Sequence, residues 1–158
     1  MKRLVCFTFN LLFVLFAFTS IAFSKDYSDY ATDCEPLKGV IIPILRENGI
    51  PDEYFYLMVA ESHCKDKRGK AGERGQWQMM PATARKYGCY DFSDIDCMTR
   101  SAAGYIKSII SVVGYDSESV VCAWNMGRHN YQKKGATSTC KGLHWMMMHF
   151  KKTDETGI

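Results

Sequence analysis

Apolar positions in this chain recur mostly at helical spacing. Leu37, Val40, Ile41, Ile44 and Leu45 fall on one face of a helix that Pro36 opens and Gly49 closes. Pro43 lies inside that stretch and should kink or shorten it. Pro51, followed by Asp52 and Glu53, opens a second helix that runs through Tyr54, Leu57, Met58 and Val59 to about His63. Residues 64–78 break the pattern with four Lys or Arg residues before Glu73, three glycines and no apolar stripe, so they read as a loop or small hairpin. Pro81 starts a short helix over 82–87, closed by Gly88. A longer helix spans 94–113, buries Ala102, Ala103, Tyr105, Ile106, Ile109, Ile110 and Val113 on one side, and stops at Gly114. Ser117 caps a further helix through Trp124, and residues 143–150 form a terminal amphipathic one. The fold class is mainly α, with one loop or β-hairpin insertion after the second helix.

The first residues follow another plan. Met1-Lys2-Arg3 precedes an apolar run from Leu4 to Phe23, and Ala22 and Ser24 supply the small residues of a cleavage site. This is the layout of a signal peptide over 1–24, removed after Ser24. The run is also nearly long enough to be a retained membrane anchor; Thr8, Asn10 and the small-residue exit favour cleavage, leaving no membrane span. A flexible leader over 25–33, a single domain over 34–150 and a tail over 151–158 complete the division. Without Lys2 and Arg3 the balance is 18 basic against 17 acidic residues, far from the basic stripe of a nucleic-acid binder.

Cys6 lies inside the apolar run, which leaves Cys34, Cys64, Cys89, Cys97, Cys122 and Cys140. An even count in a small exported domain reads as a disulfide framework and places the protein in the periplasm or outside the cell. Cys89 with Cys97 is the preferred local pair, because the residues between them read as a turn; the remaining pairings stay open. No C-x-x-C occurs and the four histidines lack ligand spacing, so neither a metal nor a cofactor is expected.

Glu61 is the first residue with candidate chemistry. It falls in the last turn of an apolar helix, where the dipole and partial burial both disfavour its charge and raise its pKa. Taken alone, Glu61 reads more readily as an exposed surface charge. The motifs downstream of it change that reading. Glu61-Ser62 precedes Ala71-Gly72-Glu73-Arg74-Gly75-Gln76-Trp77-Gln78-Met79-Met80-Pro81-Ala82-Thr83-Ala84; then come Tyr87-Gly88, Asp96 to Arg100, Ala102-Ala103-Gly104-Tyr105-Ile106 and Ala123-Trp124-Asn125-Met126-Gly127. These ordered motifs, spread over residues 50–127, resemble the signature of the lysozyme-like SLT lytic transglycosylases. The Trp77-Gln78 form looks most like the membrane-bound lytic transglycosylase D group.

The resemblance implies a peptidoglycan-cleaving lyase with Glu61 as its general acid/base. Glu61 would protonate the β-1,4 bond between N-acetylmuramic acid and N-acetylglucosamine, then take the proton of the sugar's 6-hydroxyl as a 1,6-anhydro ring closes. It further implies that Gln78, Met79 and Asn125 line the saccharide groove of a glycan strand, with Trp77, Tyr105 and Trp124 as wall or platform residues; for Trp77 and Tyr105 core packing is an equal alternative. Such a protein serves wall remodelling or a secretion apparatus, and the residues do not choose between them.

Three positions depart from the family pattern. Gly69 stands where the family usually has a serine, Trp124 where it has a tyrosine, and Glu73 where it has alanine. Indole donates a hydrogen bond but accepts none. Glu73 or Asp66 as a second carboxylate opens the alternative of a lysozyme-like hydrolase. Gly69 and Trp124 leave room for a further one, a glycan-binding protein with weakened turnover.

Overall fold

The computed structural model describes residues 33–156; the expected signal peptide over 1–24 and residues 25–32 of the expected leader lie outside the described residues. Seven α-helices follow in order: α1 (Glu35–Glu47), α2 (Phe55–Ser62), α3 (Pro81–Lys86), α4 (Ile95–Val113), α5 (Ser117–Met126), α6 (Arg128–Lys134) and α7 (Ser138–Thr156), with a 3₁₀ turn (Asp52–Tyr54) leading into α2. The fold is thus mainly helical, as the periodicity predicts. Its small β element is the expected insertion, in which Arg74 bridges to both Arg68 and Met79.

α2 is the centre of the molecule. Phe55, Leu57, Met58 and Val59 are all fully buried, so this short helix is apolar nearly all round and has neighbours on every side. α7 and α1 pack against it, while α4 lies between α1, α3 and α5. The face of α1 that turns inward holds Ile41, Ile44 and Leu45, whereas Val40 is exposed. Pro43 does not shorten α1, which continues to Glu47 with the proline on its solvent side. α4 begins one residue later than expected because Asp94 is its cap, accepting the Asp96 and Cys97 amides at 3.0 and 3.2 Å. At α5 the cap is Asp116, and Ser117 is the first helical residue.

The carboxyl-terminal end differs most from expectation. α7 starts at Ser138 and runs to Thr156, so residues 151–156 are helix and not a tail. Its last turns are tied down: Asp154 accepts from Lys38 at 2.7 Å and from the Tyr56 hydroxyl, and Lys151 meets Glu53 at 2.9 Å. α6, which has no buried residue, carries no apolar stripe from which a helix could be read.

Three disulfides close the framework: Cys34–Cys64, Cys89–Cys97 and Cys122–Cys140. The local pair is the expected one. Cys34–Cys64 joins the start of α1 to the segment leaving α2, and Cys122–Cys140 staples α5 to α7. The first bridge acts at a costly place. His63 and Cys64 both have left-handed backbones, with φ of 52° and 62°. Non-glycine residues pay about 1–3 kcal/mol each for such conformations and hold them only where the surroundings over-determine them. Here the Cys64 sulfur is anchored to α1, and the His63 ring packs edge-on against Phe150 of α7 at 5.5 Å.

Replacing Cys34 and Cys64 together by serine should therefore lower the unfolding free energy by about 2–4 kcal/mol, read from chemical denaturation of the oxidised protein. A variant as stable as the parent would remove the bridge's assigned role.

Candidate active site

Glu61 sits one residue before the end of α2, half-buried, at the floor of an open cleft of about 420 Å³. The sequence puts it there because the helix stops at Ser62 and the left-handed pair after it turns the chain away from the carboxylate. Ser62 itself points inward and donates to the Met58 carbonyl at 3.2 Å, so it contributes to the helix rather than to the cleft.

The opposite wall comes from α5. The Trp124 indole N–H donates to Glu61 Oε1 at 3.0 Å, the bond that joins the two sides of the site. Trp124 is held by an aromatic stack: Tyr105 lies 5.3 Å from it, Trp77 5.9 Å, and Tyr87 packs on Tyr105 at 5.7 Å. Tyr87 is fixed in turn by donating to Ser108 Oγ at 2.7 Å. Trp77 does not face the cleft as the wall reading expected. It is fully buried, its N–H donates to Thr99 Oγ1 at 3.0 Å, and it supports Trp124 from behind. Core packing wins there because the indole N–H finds its partner inside the protein.

Gln78, Met79, Tyr105, Trp124 and Asn125 do line the cleft. Gln78 adopts a left-handed backbone (φ 46°), and its amide donates to the Lys67 and Gly75 carbonyls at 3.0 and 2.6 Å, which closes the insertion on itself. Gly75 is required beside it: its φ is +70°, and a Cβ there would fall 2.8 Å from the Phe92 carbonyl oxygen. The cleft also takes in Met80, Thr83, Met126, Gly127, Lys70 and Glu73. All of these but Lys70 lie within the sequence motifs, which was the available signal for them. Asp66 is exposed and does not line the cleft, whereas Glu73 does.

Burial pushes the Glu61 carboxyl up to about 7. The Trp124 hydrogen bond and the charge of Lys67 oppose that rise, and the charge of Glu73 adds to it. The cleft therefore holds a carboxylic acid that keeps its proton near neutrality, with one oxygen already bonded and no metal-ligating cluster among the described residues. Chemically, this is a proton donor that can become a base in the same pH range.

A family profile described as transglycosylase SLT domain matches residues 40–144. The chain belongs to that family. An inactive mutant of the lytic transglycosylase Slt from Pseudomonas aeruginosa shares the fold of this SLT domain, with a TM-score of 0.54 and 21% identity over 74% of this chain. The match covers 21% of that enzyme, so this chain spans about a fifth of its length. No curated protein matches the SLT chain in sequence.

The carboxyl of this SLT domain makes two outcomes testable. Its pKa is raised on folding, so the native state holds the extra proton between about 4.5 and about 7, and stability falls as pH rises through that window. Glu61→Gln should therefore gain stability over the parent at pH 8 but not at pH 4, in paired thermal melts. Trp124→Phe removes a donor to the carboxylate, so the Glu61 midpoint should move upward, read by carboxyl NMR titration; a downward shift would contradict the bond.

Proposed function

We propose that this protein is an exported peptidoglycan lytic transglycosylase in which Glu61 is the sole acid/base. The observation that carries this reading is the half-buried carboxyl with its pKa raised to about 7, on the floor of a cleft lined by the family's saccharide motifs. Glu61 gives its proton to the glycosidic oxygen between N-acetylmuramic acid and N-acetylglucosamine, and the C1–O bond breaks with positive charge on the muramic ring. The resulting carboxylate takes the proton from the 6-hydroxyl of that ring as its oxygen bonds to C1. A 1,6-anhydro end forms, Glu61 is protonated again, and no water is consumed.

The Trp124 bond fits this cycle. It leaves one carboxyl oxygen to carry the proton and stabilises the carboxylate once the proton has gone. Gln78, Met79, Tyr105 and Asn125 contact the sugars, Trp124 holds the acid, and Trp77 acts only through Trp124. The Pseudomonas enzyme is described as inactive after a glutamate-to-glutamine change, the same chemical change as the test below. Trp77-Gln78 supports placement near the membrane-bound lytic transglycosylase D group. A signal sequence and three disulfides support action in the periplasm or outside the cell. No described helix is long and apolar enough to cross a membrane.

A second reading has one observation in its favour: Glu73 stands on the cleft and could direct water to C1. The two products differ by the mass of one water, so mass spectrometry of digested sacculi separates them. Anhydro ends are expected. Glu61→Gln should lower muropeptide release by about 10²–10⁴-fold, while a mutant as active as the parent would sink the assignment. Because the acid must be protonated at the start of each cycle, kcat/KM should fall as pH rises through about 7.

A further inference from the structure

The Gly69 and Glu73 positions are physically coupled. A Cβ built on Gly69 would fall 2.1 Å from Glu73 Oε2, 2.9 Å from Glu73 Cδ and 2.9 Å from Gln78 Oε1. No side chain at 69 can coexist with the carboxylate in this place. The small turn between them fixes the arrangement: the Gly69 amide donates to the Glu73 carbonyl at 3.0 Å, the Gly72 amide to the Gly69 carbonyl at 3.2 Å, and the Ala71 amide to Glu73 Oε2 at 3.0 Å. Glu73 Oε1 accepts no hydrogen bond among the described residues. Gln78 spends its amide donors on the Lys67 and Gly75 carbonyls, which leaves its Oε1 beside Gly69. The cleft thus presents two acceptor oxygens, one of them charged, over a glycine that makes room for them.

We propose that Glu73 is a saccharide-contacting residue of the cleft, its carboxylate filling the space that a side chain at position 69 would need and accepting a sugar O–H or N–H there. The proposal rests on the cleft being a glycan site, as the function above has it. Sugars are rich in O–H donors, and an ionised acceptor makes roughly twice as strong a bond as a neutral one. A carboxylate on this wall also faces the positive charge that develops on the ring during bond cleavage. It acts on Glu61 as well. The groups acting on that carboxyl are Lys67, Glu73 and the Trp124 N–H, with Lys70 and the Tyr105 hydroxyl bordering the same cleft; of these charges, Glu73 favours the protonated acid.

Binding and turnover test this separately. In a Glu61→Gln background, the affinity for a tetramer of N-acetylglucosamine, measured by calorimetry, should fall about tenfold on adding Glu73→Gln. Glutamine keeps the length and can still accept the Ala71 amide, so a purely structural role would leave the affinity unchanged and overturn the proposal. With Glu61 intact, Glu73→Gln should lower kcat/KM on glycan strands and move its alkaline limb to lower pH. An unmoved limb contradicts the proposed placement. Gly69→Ser alone should lose about tenfold in affinity, as Glu73→Gln does, because its side chain displaces the carboxylate from this place. Adding Glu73→Ala to it should cost little further, because the carboxylate it removes has already been displaced from the cleft wall; additive losses would overturn the coupling. Circular dichroism melts establish that each variant is folded. If the wild type binds the tetramer but releases no muropeptides, the transglycosylase reading fails while the Glu73 contact is still decided by the affinities.

Discussion

The turn out of α2 is the constraint on which the rest of the structure depends. An acid that must be half-buried and yet reach a substrate belongs at the end of a helix, with the chain leaving at once. That exit is made by His63 and Cys64, two consecutive left-handed residues without the freedom of glycine. Each costs energy, and the cost is met by tying Cys64 to Cys34 and packing His63 on Phe150. α1 and α7 thereby serve the site without touching it. The ion pairs of Lys38 with Asp154 and of Lys151 with Glu53 extend the same arrangement to the far end of α7. Gln78, the third non-glycine residue with positive φ among those described, lies across the cleft. Backbone strain in this domain is concentrated around Glu61, which is where positioned chemistry benefits from it.

Burial and hydrogen bonding set the acid in opposition. Desolvation alone would hold the proton on Glu61 strongly, and a strongly held proton makes a poor general acid. The indole of Trp124 moderates that, because an N–H donor stabilises the carboxylate more than the acid. A tyrosine at this place could both donate and accept; a tryptophan can only donate. The indole therefore ties the hydrogen bond to one direction, and its sign is the one that eases loss of the proton from Glu61. Trp77 and Tyr105 matter for the same reason. They pack against the indole whose N–H lies on the Glu61 carboxyl.

Much of this was legible in the sequence. The helical order could be read from periodicity and caps, since Asp94, Gly114 and the proline starts are local signals. The cleft-lining set could be read from motif order, with Gln78, Met79, Tyr105, Trp124 and Asn125 brought together around Glu61. What could not be read was decided by contacts between distant residues. Trp77 read equally as wall or core, and Thr99, 22 positions on, decides for the core by supplying its hydrogen-bond partner. α7 ran past its apolar stripe because Asp154 finds Lys38, 116 positions away. Pairing Cys34 with Cys64 and Cys122 with Cys140 likewise needed the packing of α1 on α2 and of α5 on α7.

Departures from the family pattern carry more information in pairs than singly. Gly69 alone reads as the loss of a hydroxyl, and Glu73 alone as a stray loop charge. In space they are one feature, since the carboxylate occupies the volume that the missing side chain vacates. The exchange trades a neutral hydroxyl, which both donates and accepts, for an anion that only accepts. That trade would be harmful beside a carboxylate that had to stay ionised. It is tolerable beside one that keeps its proton near neutrality, because repulsion between the two favours that protonated form. The second carboxylate and the raised pKa of the first are therefore consistent with each other, and in the proposed cycle neither requires a protein nucleophile, since the sugar's own 6-hydroxyl closes the ring.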